Sequence, residues 1–174
     1  LLAFLSASTG GYLYFSSLKE SAQKESERQT LTRAEMIRKN LSSFLSENIK
    51  PVKTMSGMKE LQDCLINRDP DSLNQANTML DHFKTSLNTD VCYLMDSEGN
   101  TIASSNRNDP DSFVGNNFAF RPYFKTAVKG IPSTYMALGT TSGKRGAYYS
   151  YPVYVGGQES PAGVVVIKVS VELI

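Results

Sequence analysis

The sequence predicts an α+β domain: a long N-terminal helix with further helical segments, packed on a five-stranded antiparallel sheet that carries a short helix as a lid. Three observations predict it. Apolar residues recur every three and four positions through the first half of the chain, the repeat of an amphipathic helix. After Asp90 the pattern changes to short β-branched and aromatic runs bounded by turn residues. The last three runs are joined by the tight turns GKRG and GGQESP, which require antiparallel neighbours.

Residues 1–17 come first. LLAFLSASTGGYLYF is uncharged and apolar but shorter than the roughly 20 residues that span a bilayer. Tyr12, Tyr14 and Phe15 at its end suit a membrane–water interface, so the segment reads as the tail of a transmembrane helix or the start of a membrane-proximal one. Residues 18–90 form the helical region. Ala34, Ile37, Leu41, Phe44, Leu45, Ile49 and Val52 make one apolar stripe, with Glu35, Lys39, Ser42, Ser43 and Glu47 opposite, and Pro51 is expected to kink or end this helix. Met55, Met58, Leu61 and Leu65 continue as a second piece. Asp69-Pro70-Asp71 then starts a third, marked by Leu73, Ala76, Leu80, Phe83 and Leu87.

Residues 91–174 hold the sheet and lid. Val91–Asp96 and residues 101–106 read as a hairpin around SEGN. A polar loop leads to a short helix over residues 118–130 that ends at Gly130. Residues 133–142, 147–155 and 162–173 are the remaining strands. The helices can cover one face of this sheet and the loop with its short helix the other, leaving a pocket beneath the lid.

Composition excludes several function classes. A net charge of +1 gives no basic surface for nucleic acid. Cys64, Cys92 and the single His82, which falls off its helix's apolar stripe, do not supply the four ligands of a structural zinc. The two cysteines are expected to be buried free thiols, with a disulfide as the alternative. GTTSGKR is one residue short of a phosphate-binding loop and has Arg145 at its hydroxyl position, and neither GxSxG nor HExxH occurs. No catalytic residue, metal or cofactor is expected.

Charge placement is more informative. Between Phe113 and Val171 the cations are Arg121, Lys125, Lys129, Lys144, Arg145 and Lys168, and the only acid is Glu159. A buried cation without a counter-ion is unfavourable, so this imbalance points to an anion-binding pocket. In the last strand Val164, Val166, Lys168 and Ser170 share one face, so Lys168 interrupts an apolar, covered surface. Arg121 lies in FRPYF, where Pro122 suits the first helical turn and a planar guanidinium can grip a carboxylate at two points. Tyr123 adds a phenol, and Thr140, Thr141 and Ser142 add three successive hydroxyls. Ordinary hairpin chemistry accounts equally well for the last three.

The stretches VCYLMDSEGNTIASSN and VGNNFAFRPYFKTAVKG, then YMALGTTSGKRGAYYSYPVY and GVVVIKVSVE, resemble the extracellular PAS-like sensor domains of the Cache family. Within it they look most like the membrane-distal module of four-carbon dicarboxylate sensor histidine kinases. The resemblance implies a ligand carboxylate held by Arg121, with Thr140, Thr141, Ser142 and Lys168 completing the grip and Tyr123 and Tyr149 as further contacts. Amino-acid-binding relatives carry a tyrosine upstream of the arginine and a later aspartate for the ammonium. Asn116 stands five residues before Arg121 here, and the later strands offer no aspartate. An anionic ligand therefore fits better than a zwitterion.

The resulting expectation is the ligand-sensing domain of a bacterial receptor, lying on the periplasmic side of the inner membrane. It would bind a small carboxylate, a dicarboxylate before others, and signal through its N-terminal helix to a histidine kinase. A homodimer in the membrane, and no nucleic-acid partner, go with that reading. The alternatives are the sensor of a diguanylate cyclase or chemotaxis receptor, or a ligand-free dimerisation module.

Overall fold

The computed structural model of the chain describes residues 2–47, 49–140, 143 and 145–170, with side chains over the same residues except 2–9, 44, 45 and 47. It comprises two compact units, Leu1–Phe44 and Leu45–Ile174.

Helix α1 (Leu2–Glu47) is 46 residues long and supplies the first unit. A local ion pair favours the helix, Lys24 pairing with Glu20 one turn earlier at 2.7 Å, while the Thr30 and Thr32 hydroxyls satisfy themselves on the carbonyls of Ser26 and Arg28. Its described side chains over residues 10–43 are exposed, Ile37 and Leu41 of the apolar stripe among them. Among the described residues no helix is long and apolar enough to cross a membrane.

In the second unit α2 (Ile49–Ser56) contains Pro51 in its first turn, where a missing N–H forfeits no helical bond. Pro51 thus lies just inside a new helix. Helix α3 (Lys59–Asn67) stops at Arg68, whose φ of 54° turns the chain. Helix α4 (Pro70–Leu87) starts where the sequence signals it: the Asp69 carboxylate accepts from the N–H groups of Asp71 and Ser72 at 2.9 and 3.0 Å.

The strands are β1 (Val91–Asp96), β2 (Thr101–Ser104), β3 (Ser133–Leu138), β4 (Arg145–Val153) and β5 (Gly163–Ser170), ordered β2-β1-β5-β4-β3 and antiparallel throughout. The last strand in sequence is the middle strand of the sheet, so its valine run is covered on both faces. β3 ends at Leu138, and Gly139 and Thr140 leave it for the loop beyond. β2 ends at Ser104, whose hydroxyl donates to Asn106 Oδ1 at 2.6 Å and closes a turn. The lid helix α5 (Pro122–Ala127) is shorter than residues 118–130. Asn117 and the Gly99 turn hold the residues before it in a loop.

Strand parity divides the core. Cys92, Leu94, Tyr149, Val165 and Ile167 face one way, where α2 and α4 lie on the sheet and bury Val52, Met55, Ala76 and Leu80. Val91, Tyr93, Met95, Tyr148, Val164 and Val166 face the other, against Phe113, Phe118, Tyr123 and Phe124 of the loop and lid. Cys64 and Cys92 are both buried free thiols, and burial pushes each up to about 11, which leaves them poor nucleophiles.

Gly163, at the start of β5, lies against both Leu65 of α3 and Met95 of β1. A Cβ there would run into the Met95 carbonyl oxygen and lie 2.7 Å from Leu65 Cδ2. Gly163→Ala is expected to destabilise the chain by roughly 1–3 kcal/mol, as overpacking does. Urea unfolding checks this; a change under about 0.5 kcal/mol would mean that α3 relaxes freely.

Candidate functional site

The site lies between the lid and the sheet face that carries Tyr148. Its central residue is held by the β1–β2 turn. Gly99 has φ 86°, and a side chain there would meet the backbone and side chain of Ala119 at 2.7–2.8 Å, so the turn and the lid loop are in direct contact. Phe118 N–H donates to the Gly99 carbonyl at 2.8 Å. Asn117 Nδ2 donates to Glu98 O and Asn100 Oδ1 at 3.0 and 2.9 Å, while its Oδ1 accepts from Ala119 N–H at 2.9 Å. These bonds set the path of the chain into Arg121, the N-cap residue of α5, with Pro122 beside it.

Arg121 is 9% exposed. Its Nη2 donates to the Leu138 carbonyl and to Thr140 Oγ1, both at 3.1 Å. Its guanidinium carbon lies 5.3 Å from the Phe120 ring centre and 5.9 Å from that of Tyr148. Its Nε is buried with no hydrogen-bond partner, and among the described residues no carboxylate pairs with it. Phe113, Phe118, Tyr123, Gly139, Thr140 and Tyr148 join Arg121 around a narrow space of about 10 Å³, room for about one water molecule, so a larger ligand enters only as the lid moves.

Lys168 is 2% exposed. It pairs across the sheet with Val91 on one side and Tyr148 on the other, so it shares the face that lines the site. Its Nζ is 5.8 Å from the centre of the Phe113 ring, and its stem passes so close to Gly146 that an added Cβ would meet Lys168 Cε at 3.2 Å.

The phenols of the site remain protonated at neutral pH. Burial pushes Tyr123 up to about 12, with the Arg121 charge opposing, and it raises Tyr148 in the same way. Tyr123 and Tyr148 stack at 5.0 Å with their rings nearly parallel. The assembled groups are hydrogen-bond donors around a fixed positive charge. Chemically, this arrangement can hold an oxygen anion.

The structure brings together Arg121, Tyr123, Thr140 and, on the same sheet face, Lys168. It separates Tyr149 from them: the register with Ile167 turns this residue to the helix-covered face, and Tyr148 lines the cavity instead. Strand parity contains that signal, but only once the start of β4 is known. Thr141 and Ser142, like Lys144, lie outside the described residues. The sequence reading missed Tyr148, Phe113 and Phe118, which resemble ordinary core residues until the loop folds back. It also missed Asp90, directly before β1. Asp90 Oδ2 is buried without a hydrogen-bond partner, and its charge helps raise Tyr148.

Comparison with known proteins gives a consistent picture. Residues 16–174 match the Cache domain family. The C4-dicarboxylate transport sensor protein DctB of Rhizobium meliloti is 40% identical over 108 residues, covering 62% of this chain and 17% of that protein. DctB of Pseudomonas aeruginosa is 36% identical over 161 residues, 91% of this chain and 26% of that protein. The chain therefore spans about a quarter or less of these curated relatives. The sensor domain of the V. cholerae histidine kinase DctB superposes with a TM-score of 0.77 at 35% identity, over 82% of this chain and 55% of that one. The ligand-binding domain of the Pseudomonas fluorescens chemoreceptor CtaA, solved with L-serine, shares the fold: TM-score 0.58 at 22% identity, over 84% of this chain and 60% of that one.

Proposed function

Because this chain belongs to the Cache domain family, we propose that it is the extracytoplasmic ligand-sensing part of a bacterial transmembrane receptor, and that its ligand is a small dicarboxylate. The observation that carries the reading is Arg121: a buried guanidinium with no carboxylate partner among the described residues and a free Nε, set among phenol and hydroxyl donors. A carboxylate would supply the missing charge, accept from Nε, and reach a second point on the fork by taking the place of Leu138 O or Thr140 Oγ1 at Nη2. Lys168, Thr140 and Tyr123 are the further contacts, with Thr141 and Ser142, next in sequence, as additional candidates. The names of the DctB relatives favour a four-carbon dicarboxylate, and that of the V. cholerae sensor domain favours a histidine kinase as the parent, ahead of a diguanylate cyclase or chemotaxis receptor.

In this reading residues 1–17 meet the membrane, 18–90 transmit the signal and 91–174 bind the ligand. The chain works as a homodimer in the inner membrane with the binding site on the periplasmic side. Ligand drives the switch only through different affinity for the two signalling states.

An amino acid is the second reading. Asp90 favours it, as a buried carboxylate oxygen without a partner near Tyr148 that could receive an ammonium group. Thermal unfolding of the chain with succinate, monocarboxylates and amino acids separates the two. Saturation at about 100 times Kd should raise Tm by roughly 5–10 °C with the dicarboxylate alone. A comparable shift with an amino acid would establish the second reading in its place.

A further inference from the structure

Tyr93 lies under the floor of the site and reaches no ligand space, yet its hydroxyl decides what the floor presents. Its ring is 0% exposed and is clamped edge-on by Phe113 at 5.2 Å and Phe118 at 6.2 Å. Its hydroxyl donates to Tyr123 Oη at 2.8 Å. Tyr123 is 1% exposed and lines the cavity beside Arg121. Two phenols carry two hydrogens, and this bond uses the one on Tyr93. Among the described residues the Tyr123 hydrogen has no acceptor. A buried donor left without an acceptor is unfavourable, so the cavity should receive a group that accepts it.

We propose that Tyr93 is a positioning residue for ligand binding: by donating to Tyr123 Oη it directs the Tyr123 hydrogen into the cavity, where it engages a ligand oxygen that Arg121 does not hold. This rests on the oxyanion reading of the site and deepens it. The ligand must present acceptors to two separate donors, Arg121 and Tyr123. A molecule with a carboxylate at one end and a methyl group at the other satisfies only the first. The Tyr93 ring can lose its hydroxyl while keeping its packing against Phe113 and Phe118.

The test is calorimetric titration of succinate and butyrate into the whole chain and its Tyr93→Phe, Tyr123→Phe and doubly substituted forms, with Tm of each free chain recorded separately. Tyr93→Phe should weaken succinate binding roughly tenfold, about the worth of one hydrogen bond to a charged group. Adding Tyr93→Phe to Tyr123→Phe should weaken it no further, because the first acts only through the second. A purely structural role would lower Tm and leave succinate affinity unchanged, and that result overturns the proposal. Independent, additive losses overturn it as well. Wild-type chain that binds neither probe overturns the oxyanion reading and this inference with it, whereas wild-type binding that Tyr93→Phe leaves untouched overturns the inference alone.

Discussion

Replacing Asp96 with alanine is expected to destabilise the chain by roughly 2–4 kcal/mol, because the donors of a tight turn lose the acceptor they share. Asp96 is the last residue of β1 and is 3% exposed. Its Oδ1 accepts from the backbone N–H groups of Glu98 and Asn100 at 3.0 and 2.9 Å, and both its oxygens accept from Asn100 Nδ2. Its Oδ2 also accepts from Arg68 Nη2 at 3.3 Å, which joins the end of α3 to the hairpin. The Arg68 side chain is half exposed, so that pair alone contributes about 1 kcal/mol or less. The larger share belongs to the N–H groups that would lose their acceptor inside the turn. Arg68→Ala should accordingly cost about a quarter of what Asp96→Ala does. Denaturant unfolding of both variants checks the ratio, and similar losses would mean that the ion pair matters more than the turn. Because Asn100 in turn receives Asn117 Nδ2, the Asp96 variant should also bind ligand less tightly at temperatures where it remains folded.

The second large effect is on ligand affinity alone. Arg121→Ala should abolish the dicarboxylate-dependent rise in Tm, a loss of affinity on the order of 100-fold or more for a desolvated two-point contact. The free chain should change little. The guanidinium is buried with Nε lacking a partner, and its removal relieves that burden while releasing only the Leu138 carbonyl and the Thr140 hydroxyl. Arg121→Lys should restore little, because a lysine ammonium cannot reproduce the planar fork. Calorimetry on the three forms decides the matter. Full affinity in the lysine variant would mean that charge alone matters, and full affinity in the alanine variant would remove Arg121 from the site.

The α+β class, the antiparallel hairpins and the Asp69 cap were legible because each is written in neighbouring residues: turn chemistry, a capping carboxylate, an apolar period. Arg121 and Lys168 were legible for a different reason. A cation inside an apolar, covered stretch is conspicuous wherever the strand finally lies, since taking a charge out of water is unfavourable in any fold unless something compensates it. Tyr149 shows the limit. One residue of register separates it from Tyr148, and the two lie on opposite faces of β4. Aromatic sequence on both sides left nothing local to choose between them.

Sequence by itself determined which segments are helix and strand, and that the second half of the chain carries excess positive charge. Local propensity, periodicity and composition act over a few residues and need no knowledge of what packs where. Tertiary structure alone decided that β5 is inserted between β1 and β4, bringing Lys168 beside Val91 and Tyr148. It also decided that the β1–β2 turn holds the lid loop, and that Tyr93 pairs with Tyr123 thirty residues away. Such pairings depend on backbone hydrogen bonds and side-chain contacts between distant segments, whose partners are selected when the whole core closes.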